Sequence, residues 1–181
     1  MTQSKFLRRS VGRTAARDEL ARSADQRTAD FARQVLKKFR IVFSSIRTHY
    51  RDVESECGLS GSQLWALAEI ERQPDVSVSA LASSLLVHQS TASNLLDGLE
   101  AMELVTKHRT REDQRVVRLR VTKKGQELLS RAPAPTIGVL LDALQNLPEE
   151  TLWGLSLNMD ALTTIMNRKD ESAAAKPLAD L

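Results

Sequence analysis

The sequence predicts a mostly α-helical protein that contains a winged helix-turn-helix, in the element order α-α-α-α-β-β-α-α. Three observations support this prediction. Apolar residues recur every three or four positions along most of the chain, two short helical patterns follow each other closely, and one later stretch alternates apolar and polar residues. Aromatic residues make up only 4% of the chain, and its seven glycines are few for a strand-rich fold.

Size and composition indicate an ordinary globular protein. The 181 residues suffice for one domain with its own core or for a small two-lobed unit. A single cysteine, Cys57, excludes an intramolecular disulfide framework. The N-terminus lacks the apolar region of a signal peptide, and no stretch approaches the roughly 18 apolar residues of a membrane-spanning helix. We therefore expect a cytoplasmic protein with no membrane partner.

Basic residues are clustered, although the formal net charge is only +3. One cluster lies within the first thirty residues and another runs from Lys107 to Lys124, as is typical of surfaces that bind a polyanion. Because residues 1–28 are polar and only weakly periodic, we expect a flexible basic arm that gains helix on binding, or else a solvated tail. The basic residues of this arm are Lys5, Arg8, Arg9, Arg13, Arg17, Arg22 and Arg27.

Two helices are predicted next. Residues 29–57 carry an apolar stripe at helical spacing and are expected to form the first core and dimerisation helix. This helix ends at Cys57-Gly58, because glycine readily adopts the left-handed conformation that closes a helix. Ser60 or Ser62 caps the second helix, which Pro74 ends. The stripe consists of Phe31, Val35, Phe39, Val42, Phe43, Ile46, Tyr50 and Val53.

A helix-turn-helix is predicted between Ser79 and Met102. The helical patterns over residues 79–85 and 89–102 are separated by about three residues, Leu86 to His88. From Leu104 the apolar period changes to two, which predicts a β-hairpin with a long charged loop around residues 110–114. Thr122 then caps another helix.

The C-terminal part, residues 126–168, is rich in leucine and is predicted to form dimerisation helices. Pro133 and Pro135 kink or break the helix that follows Thr122, and Pro148 begins a further helix. The apolar surface exceeds what a two-helix hairpin buries, so we expect it to pack on the first helix and on a second copy of the chain. Residues 169–181 are expected to be a frayed tail.

Residues 59–129 resemble the MarR family in motif order and spacing. The stretches are LSGSQLWALAEI, VSALASSLLVHQSTASNLLDGLEAMELV and REDQRVVRLRVTKKGQELL. The most specific pieces are Asp113-Gln114-Arg115, which resembles the wing motif D-x-R, and Val121-Thr122-Lys123-Lys124-Gly125, which resembles the downstream L-T-x-x-G. The resemblance implies a winged helix-turn-helix DNA-binding domain over residues 58–125, and a homodimeric transcriptional regulator without a cofactor, commonly a repressor.

The resemblance also implies how double-stranded DNA is bound. The recognition helix would enter the major groove, and a twofold dimer would bind a pseudo-palindromic operator with half-sites roughly 10 base pairs apart. In the wing, Arg115 and also Arg111 would enter the minor groove, with Asp113 orienting Arg115. The residues implied for the recognition helix are His88, Gln89, Ser90, Thr91, Ser93 and Asn94.

Three positions depart from the family pattern. Leu86 and Glu103 stand where family members often have glycine, and we expect backbone strain there, since a non-glycine residue at positive φ costs roughly 1 kcal/mol or more. Asn94 stands where an arginine is common on the recognition helix, which makes the half-site sequence uncertain.

The family commonly binds small aromatic ligands between its dimerisation and DNA-binding parts. In this chain that cleft would lie near Arg47, His49, Tyr50 and Trp65, where a cation beside apolar walls suits an aromatic carboxylate; plain packing is the alternative for His49 and Trp65. Cys57 is interpreted as an inert thiol in preference to a peroxide sensor. No spacing of His and Cys predicts a metal site.

The sequence also bears on two other functions. An enzyme is not expected, because no nucleophile motif, phosphate-binding glycine loop or paired-carboxylate arrangement is present. An architectural or antirepressor dimer that binds DNA without sequence preference is the alternative within the same fold, left open by Leu86 and Asn94. The intact Asp113 and Arg115 disfavour it, and an affinity that depends on salt but not on sequence would favour it.

Overall fold

In a computed structural model the chain is described over residues 3–109, 116–166 and 170–178, with the backbone alone for residues 3–18, 20 and 21. The chain divides into two compact units, Met1–Ser44 and Ser45–Leu181. The described part of the first unit is helical and belongs to helix α1 (Gln3–Cys57), whose last residues belong to the second unit.

Helix α1 is longer than the sequence analysis predicted. It begins at Gln3, so the described backbone is helical before residue 29, where the first helix was predicted to begin. The reason is intrinsic helix propensity, since this segment is rich in Arg and Ala and contains one glycine, Gly12, and no proline. Such a segment can be helical without an apolar stripe, whereas the prediction relied on one. The flexible basic arm expected over residues 1–28 stays a prediction.

The second unit contains a helix-turn-helix and a small sheet. Helix α2 (Gly61–Arg72) leads to strand β1 (Val76–Ser77), and helices α3 (Val78–Ser84) and α4 (Gln89–Ala101) form the helix-turn-helix. Strands β2 (Val105–Arg109) and β3 (Val117–Val121) follow, and then helices α5 (Lys123–Arg131), α6 (Val139–Gln145) and α7 (Glu149–Ile165). The sheet is antiparallel, with strand order β1-β3-β2.

This architecture confirms the predicted fold class and adds elements that the sequence did not reveal. Strand β1 has only two residues, too few to show an alternation, and it forms because Val76 pairs with Leu119 of β3. Three helices rather than two follow the hairpin, because Pro133 and Pro135 lie between α5 and α6.

The C-terminal segment, defined as residues 170–178, also differs from its prediction. It contains a short 3₁₀ helix (Glu171–Ala175), and Pro177 is buried, so the expectation of a frayed tail is wrong for these residues. Their packing depends on residues far away in sequence, which a reading of local pattern does not detect.

The apolar side chains of the second unit form one core beneath α4 and the sheet. Leu64, Leu67 and Ile70 of α2 meet Leu96 and Leu99 of α4, and all five are fully buried. The centre of this core is completed by Leu81 of α3, by Leu119 of β3, and by Leu104, which directly precedes β2. Because α4 is held along its apolar face, the opposite face of that helix is held in a fixed position.

A tight junction joins the hairpin to α5. The Thr122 hydroxyl accepts a hydrogen bond from the Gly125 N–H at 3.1 Å and donates to the Glu103 carbonyl at 2.8 Å. A Cβ on Gly125 would lie closer than 3.0 Å to both the Leu104 carbonyl oxygen and the Val121 side chain. Glycine is therefore required at the end of the Val121–Gly125 motif for steric reasons.

The expected backbone strain is confirmed at both positions where glycine was missing. Leu86 has φ 57° and Glu103 has φ 62°, and a third non-glycine residue, Asp75, has φ 65°. Each lies in the left-handed region, which is costly for residues with a Cβ. Leu86 ends the turn after α3, and its N–H donates to the Ser83 carbonyl.

Large apolar side chains outside this core are exposed in both units. In the first unit they lie on α1, and in the second unit they lie mainly on α7. Phe43 is 63% exposed and Trp153 is 66% exposed. The other exposed apolar residues on these two helices are Phe31, Val35, Leu36, Ile41, Val42, Leu152, Leu155, Leu157, Met159 and Ile165.

Candidate nucleic-acid interface

The polar residues predicted for DNA binding come together at the N-terminal end of α4. His88 is the N-cap residue, and Gln89 begins the helix. His88, Gln89, Ser90 and Asn94 are exposed, while Thr91 and Ser93 are half-buried. None of these six side chains forms a hydrogen bond or ion pair with another described residue. Their donors and acceptors are thus available to an external partner.

Helix α4 is fixed from behind and from one side. Ala92, Leu96 and Leu99 are fully buried on its inner face. On its flank, Lys107 Nζ of β2 lies 2.7 Å from Asp97 Oδ1 and 2.9 Å from Glu100 Oε2. These bonds, first the one to Asp97, raise the pKa of Lys107. Lys107 therefore links β2 to α4, a structural role that was not predicted from the sequence.

A second set of polar contacts lies at the base of the wing. Arg120 of β3 makes a bidentate bond to Asp75, at 2.7 and 2.6 Å, and His108 Nε2 of β2 lies 2.8 Å from the same carboxylate. The bond from Arg120 is the main reason why the pKa of Asp75 is lowered. Arg118 also donates to the Asp75 carbonyl oxygen. Asp75 thereby joins the loop after α2 to both strands of the hairpin.

The predicted wing-tip residues Arg111, Asp113 and Arg115 lie outside the described residues. Nearer the sheet, Lys124 donates to the Met102 carbonyl at 2.8 Å. The side chains of Arg109 and Lys123, by contrast, form no hydrogen bond or ion pair with a described residue. In the basic cluster from Lys107 to Lys124, the side chains of Lys107, His108 and Lys124 thus have partners among the described residues, and those of Arg109 and Lys123 do not.

A cavity of about 200 Å³ adjoins the helix-turn-helix. Of the four residues predicted for a ligand cleft, Tyr50 and Trp65 line it, whereas Arg47 and His49 do not. His49 is buried near Tyr50, with ring centroids 6.0 Å apart, which fits the packing role considered for it. The remaining wall consists of Gly61, Ser62, Leu85, Leu86, Ile137, Gly138, Leu140, Leu141, Leu144, Ala174, Lys176, Pro177 and Leu178.

One polar atom in this wall lacks a partner. The hydroxyl of Ser62 is buried and forms no hydrogen bond with any described residue. A buried hydroxyl without a partner is unfavourable unless a water or a ligand satisfies it. Ser62 was predicted only as an alternative cap of α2, and Ser60 fills that position.

Other chemistry has little support in the described residues. Burial raises the pKa of the Cys57 thiol, although the charge of Arg131 partly offsets this, so the reactive thiolate is disfavoured. Within the described ranges, no three His, Cys, Asp or Glu side chains cluster as metal ligands do. Among the described helices, none is long and apolar enough to cross a membrane.

Comparison with known proteins gives consistent matches. A model of the MarR family matches residues 58–116. The chain is 24% identical over 131 residues to the HTH-type transcriptional repressor MdtR of Bacillus subtilis strain 168, an alignment that covers 72% of this chain and 82% of that protein. A second relative, the uncharacterised HTH-type transcriptional regulator YsmB of the same organism, is 21% identical over 133 residues, covering 74% and 91% of the two chains.

Solved structures agree with these matches. The transcriptional regulator BldR of Sulfolobus solfataricus is 27% identical, with a TM-score of 0.50 over 75% of this chain and 97% of that chain. FabT of Streptococcus pneumoniae, solved in complex with DNA, is 19% identical, with a TM-score of 0.52 over 73% and 94% of the two chains. The likeness to FabT concerns the fold.

Proposed function

We propose that this chain, which belongs to the MarR family of winged-helix transcriptional regulators, binds an operator of defined sequence as a homodimer and represses transcription until a small ligand binds. One observation carries the proposal. At the N-terminal end of α4, six polar side chains extend from a helix whose opposite face is fixed in the core, and they bond to no other described residue.

These residues suit the edges and phosphates of duplex DNA. The amide of Gln89 or Asn94 matches the donor and acceptor that adenine presents in the major groove. Ser90 and Thr91 lie in the first turn, where helix N–H groups and the helix dipole favour phosphate. FabT, which shares the fold, was solved with DNA. We transfer this binding mode to the present chain, and we assign Arg115 and Arg111 to the minor groove and Asp113 to orienting Arg115.

Dimer formation is proposed from the exposed apolar surface. Phe39 and Phe43 stack with ring centroids 6.3 Å apart, and Phe43 is largely exposed. Helix α7 exposes Trp153 and several leucines. Large apolar side chains exposed in such number on one helix rarely remain in contact with water. A twofold dimer that covers them would present two copies of α4 about one DNA turn apart.

The ligand response is proposed from the position of the cavity. Leu85 and Leu86 in its wall belong to the turn that leads into α4. A ligand in the cavity stabilises the conformation of this turn that it binds more tightly. If that conformation differs from the one that fits DNA, the ligand lowers the fraction of molecules able to bind DNA.

The DNA-binding proposal is tested by selecting bound sequences from a random duplex pool, followed by fluorescence anisotropy at two salt concentrations. We expect an enriched pseudo-palindrome with half-sites roughly 10 base pairs between centres. Gln89→Ala should weaken binding to this sequence by roughly tenfold, the lower end of the discrimination that one bidentate base contact gives, and should change binding to scrambled DNA little. Gln145→Ala is the matched control, because Gln145 is also an exposed helical glutamine, on α6.

The possible outcomes support different functions. Selective loss with Gln89→Ala and none with Gln145→Ala supports sequence reading by α4. Tight, salt-dependent binding without an enriched sequence would support the architectural or antirepressor function, for which Leu86 and Asn94 are the relevant departures from the family. Absence of binding to any duplex would refute the proposal.

A further inference from the structure

The positive charge of the chain is concentrated in the basic arm, residues 1–28. This segment contains seven Lys or Arg residues and three Asp or Glu residues, a formal net charge of +4, whereas the whole chain has +3. Residues 29–181, which include the helix-turn-helix, therefore have a formal net charge of −1. Since long-range attraction to a polyanion depends on net charge and its distribution, the arm supplies the attraction that residues 29–181 lack as a whole.

Four basic residues of the arm recur at an interval of about one helical turn. The backbone is helical from Gln3 onward. Positions four apart are neighbours on a helix surface and lie about 6 Å apart along its axis. A duplex strand carries one phosphate per roughly 3.4 Å of its axis, so a row of about 18 Å runs past roughly five phosphates. The four residues of this row are Lys5, Arg9, Arg13 and Arg17.

The two arm arginines whose side chains are described are available to an external anion. Arg22 and Arg27 are exposed and form no hydrogen bond or ion pair with a described residue. The carboxylate of Asp30, three residues after Arg27, instead accepts hydrogen bonds from Gln26 at 3.4 Å and from Arg33 at 2.6 Å. Both guanidinium groups can therefore bind a phosphate without first losing a partner among the described residues.

The arm lacks the apolar face that a lipid surface or a partner helix would require. Its large apolar residues between positions 3 and 28 are Phe6, Leu7, Val11 and Leu20. Leu7 and Val11 are four residues apart, whereas Phe6 and Leu20 fall on other sides of an ideal helix. Helices that bind membranes or other helices bury a continuous apolar face. Positive charge without such a face is better suited to a hydrated polyanion.

We propose that the basic arm is a second DNA-binding element, which contacts phosphates of duplex DNA outside the base pairs that α4 reads. As a helix, residues 3–28 span about 40 Å, slightly more than one turn of duplex DNA. Because phosphates are the same in every sequence, the arm raises the affinity for all duplexes without changing the preference between them. The role of the arm rests on the proposed DNA binding, but it concerns residues outside the family match over residues 58–116.

The salt dependence of DNA binding tests this role in the full chain, by fluorescence anisotropy with a labelled duplex of random sequence. The arm variant combines Arg9→Gln, Arg13→Gln and Arg17→Gln, which remove three charges but keep a good helix former at each position. Each lost phosphate contact lowers the slope of log affinity against log salt by about 0.9. Loss of two contacts should therefore reduce the advantage of the parent chain over the variant by roughly tenfold between about 50 and 200 mM salt.

Two controls separate contact by the arm from other effects of charge. Lysine at the same three positions keeps the charges, and this variant should retain the slope of the parent chain. A matched variant removes three charges from exposed positions of α1 beyond the arm and should also retain the slope; it combines Lys37→Gln, Lys38→Gln and Arg40→Gln. All variants are compared at a concentration at which sedimentation shows the assembly state of the parent chain.

A second arm variant, Arg22→Gln with Arg27→Gln, should lower the slope in the same direction and serves if the first variant loses helix in circular dichroism. Equal slopes in the parent chain and both arm variants would overturn the proposal. So would an equal loss of slope in the Lys37→Gln control, because net charge alone would then explain the attraction. Binding of the parent chain to phosphatidylserine vesicles, lost in an arm variant whose DNA slope is unchanged, would assign the arm to a lipid surface instead.

Failure of the arm and failure of sequence reading by α4 give different results. The arm variants should weaken binding to operator and scrambled duplexes alike, whereas Gln89→Ala should weaken operator binding selectively. Unchanged slopes with a parent chain that binds DNA overturn the role of the arm alone. Absence of binding by the parent chain to any duplex overturns both proposals.

Discussion

The winged-helix core of the second unit and the exposed part of α1 in the first unit differ in where their apolar side chains find partners. Leu64, Leu96 and Leu119 are fully buried among residues of the same chain. Phe43, although just as apolar, is 63% exposed. The first region carries its own core, whereas the second has an apolar surface of the kind that another molecule covers. Variants in the two regions therefore separate folding of the core from assembly through α1.

The largest effect is expected for Phe43→Glu. It places a charge in the proposed dimer surface and removes the aromatic partner of Phe39. Loss of a central aromatic contact typically weakens an interface by about 2–4 kcal/mol, or roughly thirty- to a thousandfold in Kd. Sedimentation equilibrium should therefore show a shift from dimer to monomer.

The matched control is Gln34→Glu, which adds the same charge at an exposed position nine residues earlier, on the opposite side of an ideal helix from Phe43. It should leave the dimer intact. An equally stable dimer in Phe43→Glu would mean that this part of α1 is not an interface.

Gly125→Ala should instead lower the free energy of unfolding of the core in the second unit. The added methyl group would collide with the Leu104 carbonyl and the Val121 side chain, both of which belong to the base of the wing. Forcing an extra carbon into such a packed site costs about 1–3 kcal/mol. Denaturant unfolding should report this loss, measured at equal protein concentrations because dimerisation also contributes to apparent stability.

Gly154→Ala serves as its control, because a Cβ there meets no atom within 4 Å. This variant should be neutral or slightly stabilising, since alanine has the higher helix propensity. Equal effects of the two variants would show that the close contact at Gly125 is unimportant.

The sequence revealed the core of the second unit well because its signals are local. Gly58 and Pro74 mark helix boundaries, the helical spacing of Leu96 and Leu99 identifies the inner face of α4, and Thr122 marks the start of α5. The glycine-requiring positions at Leu86 and Glu103 were also foreseen, since they departed from a pattern with a known backbone cause.

Features that depend on distant residues were missed. Strand β1 exists only because Val76 pairs with Leu119, and Pro177 is buried only because the C-terminal segment returns to the cavity. Likewise, Lys107 was counted in a basic cluster typical of surfaces that bind a polyanion, but its ammonium group is bonded to Asp97 and Glu100. Charge and periodicity identify candidate residues, but the three-dimensional fold decides which of them are already used.

The smallest effect, and the finest test of strain within the core, is expected for Leu86→Gly. Leu86 has φ 57° and its side chain is 68% exposed, so glycine would relieve backbone strain at little loss of packing. The relief of roughly 1 kcal/mol is partly offset by the greater freedom of glycine in the unfolded chain, which leaves a net gain of about 0.5 kcal/mol. Ser83→Gly, three residues earlier in the regular helix α3, has no such strain to relieve and should lose about 0.5 kcal/mol. Thermal unfolding of the two variants should therefore move in opposite directions, whereas destabilisation by both would mean that Leu86 contributes contacts worth more than the strain it imposes.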